Sequence, residues 1–175
     1  MLFRSTYFQG GGFDRSYLSF LEVDGEGNVN VSRLASRPHV TAGVGGFIDI
    51  TAHARAIVFC GYFTAGGLDQ QVEAGQLRIR KEGKSRKFVD QVEHVTFSGK
   101  RAREQRQEVL FVTERAVLKL EPDGLTVIEI APGIDLERDV LRQAATALRV
   151  SPNLKVMDAR LFEPAKLGLQ LRARK

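Results

Sequence analysis

The eight residues from Ala56 to Phe63 form a near-continuous apolar run. Runs of this kind are typical of strands that are buried on both faces, as in parallel sheets. Directly before it, the spacing of apolar residues from Phe47 to Ala54 predicts a short helix. Other apolar segments follow with few helices between them. We therefore expect an α/β fold with a mixed, mostly parallel sheet and flanking helices.

Turn and cap residues predict the remaining elements. The sequence Asp24–Gly27 between two apolar runs predicts a β-hairpin over residues 17–32. Apolar residues at helical spacing predict a helix from Asp135, as its N-cap, to Leu148. The further strand candidates are residues 76–80, 87–89, 94–97, 108–113, 116–120 and 125–130.

The composition is that of one globular domain, with 175 residues of which 43% are hydrophobic. We expect a domain over 13–165, a lead over 1–12 that is native, a tag remnant or an interdomain remnant, and a frayed basic tail over 166–175. The single cysteine, Cys60, is expected to be a buried small hydrophobe, and its lack of a partner indicates a reducing cytoplasm. No apolar run approaches the roughly 20 residues of a membrane helix, so no membrane partner is expected.

Basic residues are concentrated between Arg78 and Arg106, where ten Lys or Arg stand against four Asp or Glu. Such a stretch suits nucleic acid, phosphates or an acidic partner, and it equally suits a solvated face or a subunit contact. Aromatic residues do not interleave with it, so nucleic acid is not expected as a partner.

The segment Thr41–Phe47 carries three glycines in four positions just before the predicted helix. Glycines let the backbone approach a ligand closely, and free N–H groups there suit an oxyanion or a phosphate. A structural glycine turn remains the alternative. Gly10–Gly12 and Gly66–Gly67 are weaker candidates of the same type. His39, His53 and His94 lack ligand spacing, so no metal site is expected.

A series of short motifs resembles the C-terminal, β-type portion of acetate/acetoacetate (3-oxoacid-type) coenzyme A transferases. In chain order the motifs are GGGFD (10–14), GNVNVS (27–32), GVGGFID (43–49), FTAGGL (63–68), VEHVTFSG (92–99), TER (113–115), APGID (131–135) and MDARLF (157–162). They cover about nine-tenths of the chain, and the resemblance implies the CoA-transferase (NagB/RpiA-like) fold.

The resemblance also implies a chemistry. In this family a glutamate attacks the acyl-CoA, forms an acyl-glutamyl anhydride and then a glutamyl-CoA thioester, which a carboxylate resolves. That glutamate lies in a Glu-(Asn/Ser)-Gly context upstream of the GGGFD-like segment. No glutamate of this chain matches that context, so we expect no catalytic residue here and an inactive isolated chain. Coenzyme A enters as substrate, with no covalent or metal cofactor.

What the resemblance assigns to this chain is a supporting role. Gly43, Val44, Gly45 and Gly46 resemble the loop that serves the oxyanion, and Asn30 matches an asparagine near the thioester. Phe63, Thr64, Ala65, Gly66 and Gly67 resemble a loop that borders the CoA site. The expected partners are acyl-CoA, short-chain carboxylates, the missing N-terminal transferase portion and further copies in a homo-oligomer. Two alternatives stay open: a β-type subunit of a two-chain enzyme, and a non-catalytic binding or structural module.

Overall fold

The computed structural model describes Gly10, residues 13–35, His39 and residues 41–169. Expectations for the lead up to residue 9, for Gly11 and Gly12, for residues 36–38 and for the tail from residue 170 lie outside these residues. In chain order the elements are β1 (Arg15–Ser19), β2 (Glu22–Asp24), β3 (Val29–Asn30), α1 (Phe47–His53), β4 (Ala56–Cys60), β5 (Thr64–Ala65), β6 (Asp69–Glu73), β7 (Gln76–Lys81), β8 (Ser85–Arg86), β9 (Phe88–Val89), α2 (Gly99–Glu104), β10 (Glu108–Val112), β11 (Ala116–Glu121), β12 (Gly124–Ile130) and β13 (Arg149–Val156). Irregular helical turns span Leu136–Val140, Leu141–Gln143 and Ala159–Phe162.

The main sheet has six strands in the order β1-β4-β10-β11-β12-β13. β1, β4 and β10 run parallel, β11 is antiparallel to both of its neighbours, and β13 is parallel to β12. Three of the five strand pairs are therefore parallel. The expected α/β fold with a mixed, mostly parallel sheet and flanking helices is confirmed.

The apolar run 56–63 forms a strand only over its first five residues, β4, which lies between two parallel strands. Its four residues from Ala56 to Phe59 are all buried, as expected for a strand covered on both faces. Phe59 packs against the rings of Phe47, Phe97 and Phe111, with centroid distances of 6.1, 5.3 and 5.2 Å. The core is therefore centred on β4. The predicted short helix is observed as α1, one residue shorter at its end, and it packs on this core through Phe47.

The predicted hairpin is shorter than expected. β2 and β3 form an antiparallel pair, but Tyr17–Ser19 belongs to β1 in the main sheet. The turn is stabilised by Asp24, whose Oδ1 accepts hydrogen bonds from the backbone N–H groups of Glu26 and Asn28 at 3.1 and 3.0 Å. The apolar run before the turn is thus divided between two sheets, which alternation alone does not predict.

The predicted helix from Asp135 to Leu148 is wrong in length. Asp135 does cap a helical turn, since its Oδ1 accepts from Arg138 N at 2.7 Å. The turn is a π-helix that ends at Val140, and a 3₁₀ turn follows it. Arg115 Nη1 donates a hydrogen bond to the Asp139 carbonyl at 2.9 Å, and Ala145 N donates one to Phe88 O at 2.8 Å. Partners from distant strands therefore divert this segment from a regular helix.

Two smaller expectations are also corrected. Residues 94–97 form no strand, and only Phe97 makes a β-bridge, to Val29. Cys60 is exposed rather than buried, because it is the last residue of β4 and lies where the strand leaves the core. Partial burial nevertheless raises the pKa of the Cys60 thiol.

None of the helices in the described ranges is long and apolar enough to cross a membrane. Within the same ranges, no three His, Cys, Asp or Glu side chains are grouped so that they could hold a metal ion.

Candidate functional site

Three loops meet at one edge of the main sheet. β1, β4 and β10 are parallel, so the residues that follow their carboxyl ends lie at the same edge. These residues are Phe20–Glu22 after β1, Gly61–Gly67 after β4 and Thr113–Arg115 after β10. Ligands of open α/β sheets bind outside the carboxyl ends of the strands. This edge therefore suits a ligand site.

The glycine segment Gly43–Gly46 lies at the same edge. Phe47, the first residue of α1, packs on Phe59 near the carboxyl end of β4, and α1 then returns toward the amino end of that strand. No described residue accepts a hydrogen bond from the backbone N–H groups of Gly43 to Gly46. A Cβ atom added at Gly43 or Gly45 would meet nothing within 4 Å. Within the described part of the chain, the segment thus has backbone donors without acceptors and free space beside Gly43 and Gly45.

Gly45 alone in this segment has a left-handed backbone, with a φ of +53°. That conformation explains one glycine through turn geometry. Gly43 does not have a left-handed φ, and no described residue lies within 4 Å of the position that its Cβ would take. Neither backbone strain nor crowding in the described structure therefore requires glycine here.

Asn30 is fully buried, and its side chain is occupied by neighbouring residues. Its Oδ1 accepts from the backbone N–H groups of Ser32 and Arg33 at 3.0 and 3.2 Å. Its Nδ2 donates to Glu22 Oε2 at 2.7 Å and to the Arg33 carbonyl. The turn fixed in this way pairs with the chain just before the glycines, because Ala42 N donates to Ser32 O at 2.7 Å. Asn30 therefore positions the entry to the glycine segment.

The segment Phe63–Gly67 forms a second, tightly held loop. Phe63 is fully buried and stacks on Phe88 with a centroid distance of 4.5 Å. Thr64 and Ala65 form β5, which pairs with β8. Gly66 and Gly67 have φ values of +80° and +94°, which favour glycine. The loop separates two cavities, one of about 360 Å³ on the side of Tyr62 and one of about 510 Å³ on the side of Lys87.

A buried arginine holds this loop through two carboxylates. Arg115 is completely buried, and it donates through Nε to Glu114 Oε1 and through Nη1 to Glu82 Oε1, both at 2.6 Å. The second oxygen of Glu114 accepts from Phe63 N at 2.8 Å. The second oxygen of Glu82 accepts from Thr64 Oγ1 at 2.9 Å. The loop is therefore tied at two consecutive residues to one buried cation.

Sequence reasoning missed this network. It used residues 113–115 only as one motif of a resemblance, and it gave Glu82 no role. An Arg placed directly after an apolar strand, with an acidic neighbour, was the available signal, because buried charges need partners. The second carboxylate comes from a segment 33 positions away, and nothing local in the sequence joins the two.

The other predicted candidates are dispersed. The basic stretch from Arg78 to Arg106 is spread over β7, the β8–β9 region and α2, and Arg103 within it pairs with Glu26 at 2.7 Å. His94 Nδ1 lies 2.7 Å from Ser32 Oγ, which gives this histidine a structural contact.

Known proteins with a similar sequence and structure are CoA-transferases. No protein-family model matches the chain. The chain is 47% identical over 165 residues to the acetate CoA-transferase YdiF of Escherichia coli, and 44% identical over 164 residues to the caffeate CoA-transferase of Acetobacterium woodii. These alignments cover 94% and 93% of this chain. The solved structure of the Escherichia coli protein without ligand superposes on 95% of the chain with a TM-score of 0.91 and 46% identity.

The resemblance to the CoA-transferases is confirmed. The chain spans about a third of the length of the curated relatives it matches, 30% and 31% respectively. It likewise covers 32% of the solved structure. A further structure of the Escherichia coli protein is described as a thioester complex with CoA, and it matches with a TM-score of 0.90.

Proposed function

We propose that this chain is the C-terminal, β-type portion of an acyl-CoA:carboxylate CoA-transferase, and that it surrounds the reacting thioester without supplying the nucleophile. The backbone N–H groups of Gly43–Gly46 carry this proposal, because none of them has an acceptor among the described residues. They suit the oxyanion that forms whenever a thioester or an anhydride is attacked. The similarity to two CoA-transferases at 47% and 44% identity supplies the reaction class.

In the proposed reaction, a glutamate outside this chain attacks the thioester carbonyl of an acyl-CoA and expels the thiolate. The thiolate attacks the resulting anhydride, releases the carboxylate and leaves a glutamyl-CoA thioester. An incoming short-chain carboxylate then reverses these two steps. Each attack places negative charge on a carbonyl oxygen, and the backbone donors of the glycine segment stabilise that charge.

The loop Phe63–Gly67 has a separate part in this proposal. It borders the CoA molecule, and the Arg115 network keeps it in position while the acyl group changes. The thioester complex reported for the similar Escherichia coli protein supports CoA as the substrate. We further propose that the assembled enzyme is a homo-oligomer. We also propose that it works in a reducing cytoplasm, which agrees with the single cysteine of this chain.

Isotope exchange tests the proposal. Labelled acetate and acetyl-CoA are incubated with the chain alone, and then with the chain and the remaining portion of the similar Escherichia coli transferase. We expect exchange only in the second case. Exchange by the chain alone would disprove the missing nucleophile, and no exchange in either mixture, despite a complex that co-purifies, would contradict the proposed function.

Two alanine variants separate the glycine segment from general stability. Gly43→Ala keeps the backbone N–H but adds a methyl group, without backbone strain, into the space through which a ligand would approach. We therefore expect an unchanged melting temperature and an exchange rate lower by about tenfold or more, because the methyl group displaces the reacting carbonyl from the donors. Gly67→Ala also enters open space, but at a φ of +94°, so it is expected to lower stability. Full activity of Gly43→Ala would argue against the oxyanion role.

A further inference from the structure

Lys87 combines partial burial with the lack of an acceptor for its ammonium group. It lies between β8 and β9, and its Nζ is 4.0 Å from the centroid of the Phe20 ring. Across the described residues, no oxygen accepts a hydrogen bond from this ammonium or forms an ion pair with it. The ring compensates only part of the hydration that such a group loses on burial. A half-buried cation thus has hydrogen-bond donors to spare for a ligand.

The structure makes room for this ammonium at the carboxyl end of the central strand. A Cβ atom at Gly61, directly after β4, would lie 3.0 Å from Lys87 Nζ and 2.9 Å from the Phe20 ring. Gly61 does not have a left-handed φ. Its missing side chain is therefore explained by the space that Lys87 and Phe20 need.

The charge of Lys87 is poorly balanced by the groups around it. Burial lowers the pKa of Lys87 to about 8, although the Glu114 carboxylate acts in the opposite direction. Glu114 is itself committed to Arg115 and to the Phe63 N–H group. A negatively charged ligand would find this cation incompletely paired.

A cavity of about 510 Å³ provides space for such a ligand. Lys87 and Arg86 line it together with Ser85, with Ala65 and Gly66 of the loop after β4, and with Glu22. Glu22 is the one carboxylate among the described lining residues, and its Oε2 accepts from Asn30 Nδ2 and from Glu93 N at 2.7 and 3.1 Å. Two cations therefore line the cavity against one carboxylate that already has hydrogen-bond donors.

We propose that Lys87 is the charge partner of an oxyanion, a carboxylate or a phosphate group, that binds in this cavity. The ammonium supplies charge, and Ala65 and Gly66 line the same cavity. The site is a property of this chain's own residues, and it does not depend on whether the chain takes part in CoA transfer.

The test is an NMR titration of the full chain with ¹³C-labelled lysine, in which the Cε shifts report each lysine's pKa. Acetate, inorganic phosphate and CoA are added in separate experiments. We expect the Lys87 midpoint to rise by about one unit or more with the ligand that binds, which is about a tenfold gain in proton affinity. Lys84, which is exposed, is the internal control and should not move.

Each outcome has one meaning. A response to acetate alone identifies a carboxylate site, and a response to phosphate and CoA identifies a phosphate site. A Lys87 midpoint that none of the three ligands changes, or a Lys84 midpoint that moves equally, overturns the proposal. Isotope exchange is measured separately, so its success together with an unresponsive Lys87 overturns only this inference.

A pair of variants gives a second readout. The same ligands should perturb the backbone amide signals of Ala65 and Gly66 in the native chain and in Lys84→Met, but not in Lys87→Met. Perturbations that persist in a folded Lys87→Met protein would assign the anion to another group.

Discussion

Replacing Arg115 by Met should cause a large loss of stability, because Arg115 is completely buried and ties together two carboxylates. Its removal leaves Glu114, whose side chain is 8% exposed, without a cationic partner. Breaking a buried ion pair on one side costs about 3–5 kcal/mol. Arg115 Nη2 has no hydrogen-bond partner among the described residues, and this unsatisfied group makes the native arrangement less favourable. We therefore expect a loss near the lower bound, about 3 kcal/mol.

Calorimetry and urea unfolding measure this loss. For a chain of this size, about 3 kcal/mol corresponds to a melting temperature lower by roughly 6–12 °C. Arg142→Met is the matched control, because Arg142 forms an ion pair with Glu137 in which the side chains are 71% and 61% exposed. Exposed pairs contribute little, so the control should change stability by no more than about 0.5 kcal/mol.

A double variant tests the electrostatic reasoning itself. In Arg115→Met with Glu114→Gln, a neutral amide oxygen can still accept from Phe63 N. The carboxylate that remains without Arg115 is then Glu82, whose side chain is 28% exposed, whereas that of Glu114 is 8% exposed. Part of the lost stability should therefore return. A loss below about 1 kcal/mol in Arg115→Met, or a double variant at least as unstable as the single one, would refute this account.

Two other changes give predictions that can be checked in the same assays. Asn30→Ala removes the acceptor of the Ser32 and Arg33 N–H groups, so it should lower the free energy of unfolding by about 1–3 kcal/mol. It should also speed hydrogen exchange at Ala42 N, which donates to Ser32 O. Unchanged exchange at Ala42 would show that Asn30 does not hold the entry to the glycine segment. The Arg138 side chain donates to Asp139 and lowers the pKa of that carboxyl, although burial acts in the opposite direction. The ion pair therefore stabilises the fold fully above the ordinary Asp pKa of 3.8, and this stabilisation is lost as the pH falls through the lowered pKa of the folded state. Asp139→Asn should therefore be less stable than the native chain at neutral pH, and the difference should close below about pH 4 in urea unfolding, whereas a difference that stays constant with pH would exclude this carboxylate as its source.

Much of the fold could be predicted from local patterns. The apolar run from Ala56 identified the central strand because burial on both faces leaves no alternation in the sequence. Asp135 was predicted as a cap because its short carboxylate suits the free N–H groups of a helical turn. The length of the turn that follows could not be predicted, because its Asp139 carbonyl accepts a hydrogen bond from Arg115, which is 24 positions away in the sequence.

The candidate site divides in the same way. Glycine clusters such as Gly43–Gly46 are visible in a sequence because few other residues allow an open backbone. The role of Gly61 is not visible there, because it depends on the side chains of Phe20 and Lys87, which approach only after three strands are assembled. Residues that act by leaving space, or by meeting partners from distant segments, are those that the sequence alone does not reveal.

The exposed position of Cys60 has a practical consequence. It is the only cysteine in the chain, and it ends β4 immediately before the loop that leads to Gly66. A thiol-reactive fluorophore would therefore label one defined position beside the candidate site, without engineered cysteines. The raised pKa of the thiol means that labelling needs mildly alkaline buffer. The labelled protein would report, through the fluorescence of that probe, on ligands and partner chains that reach this edge of the sheet.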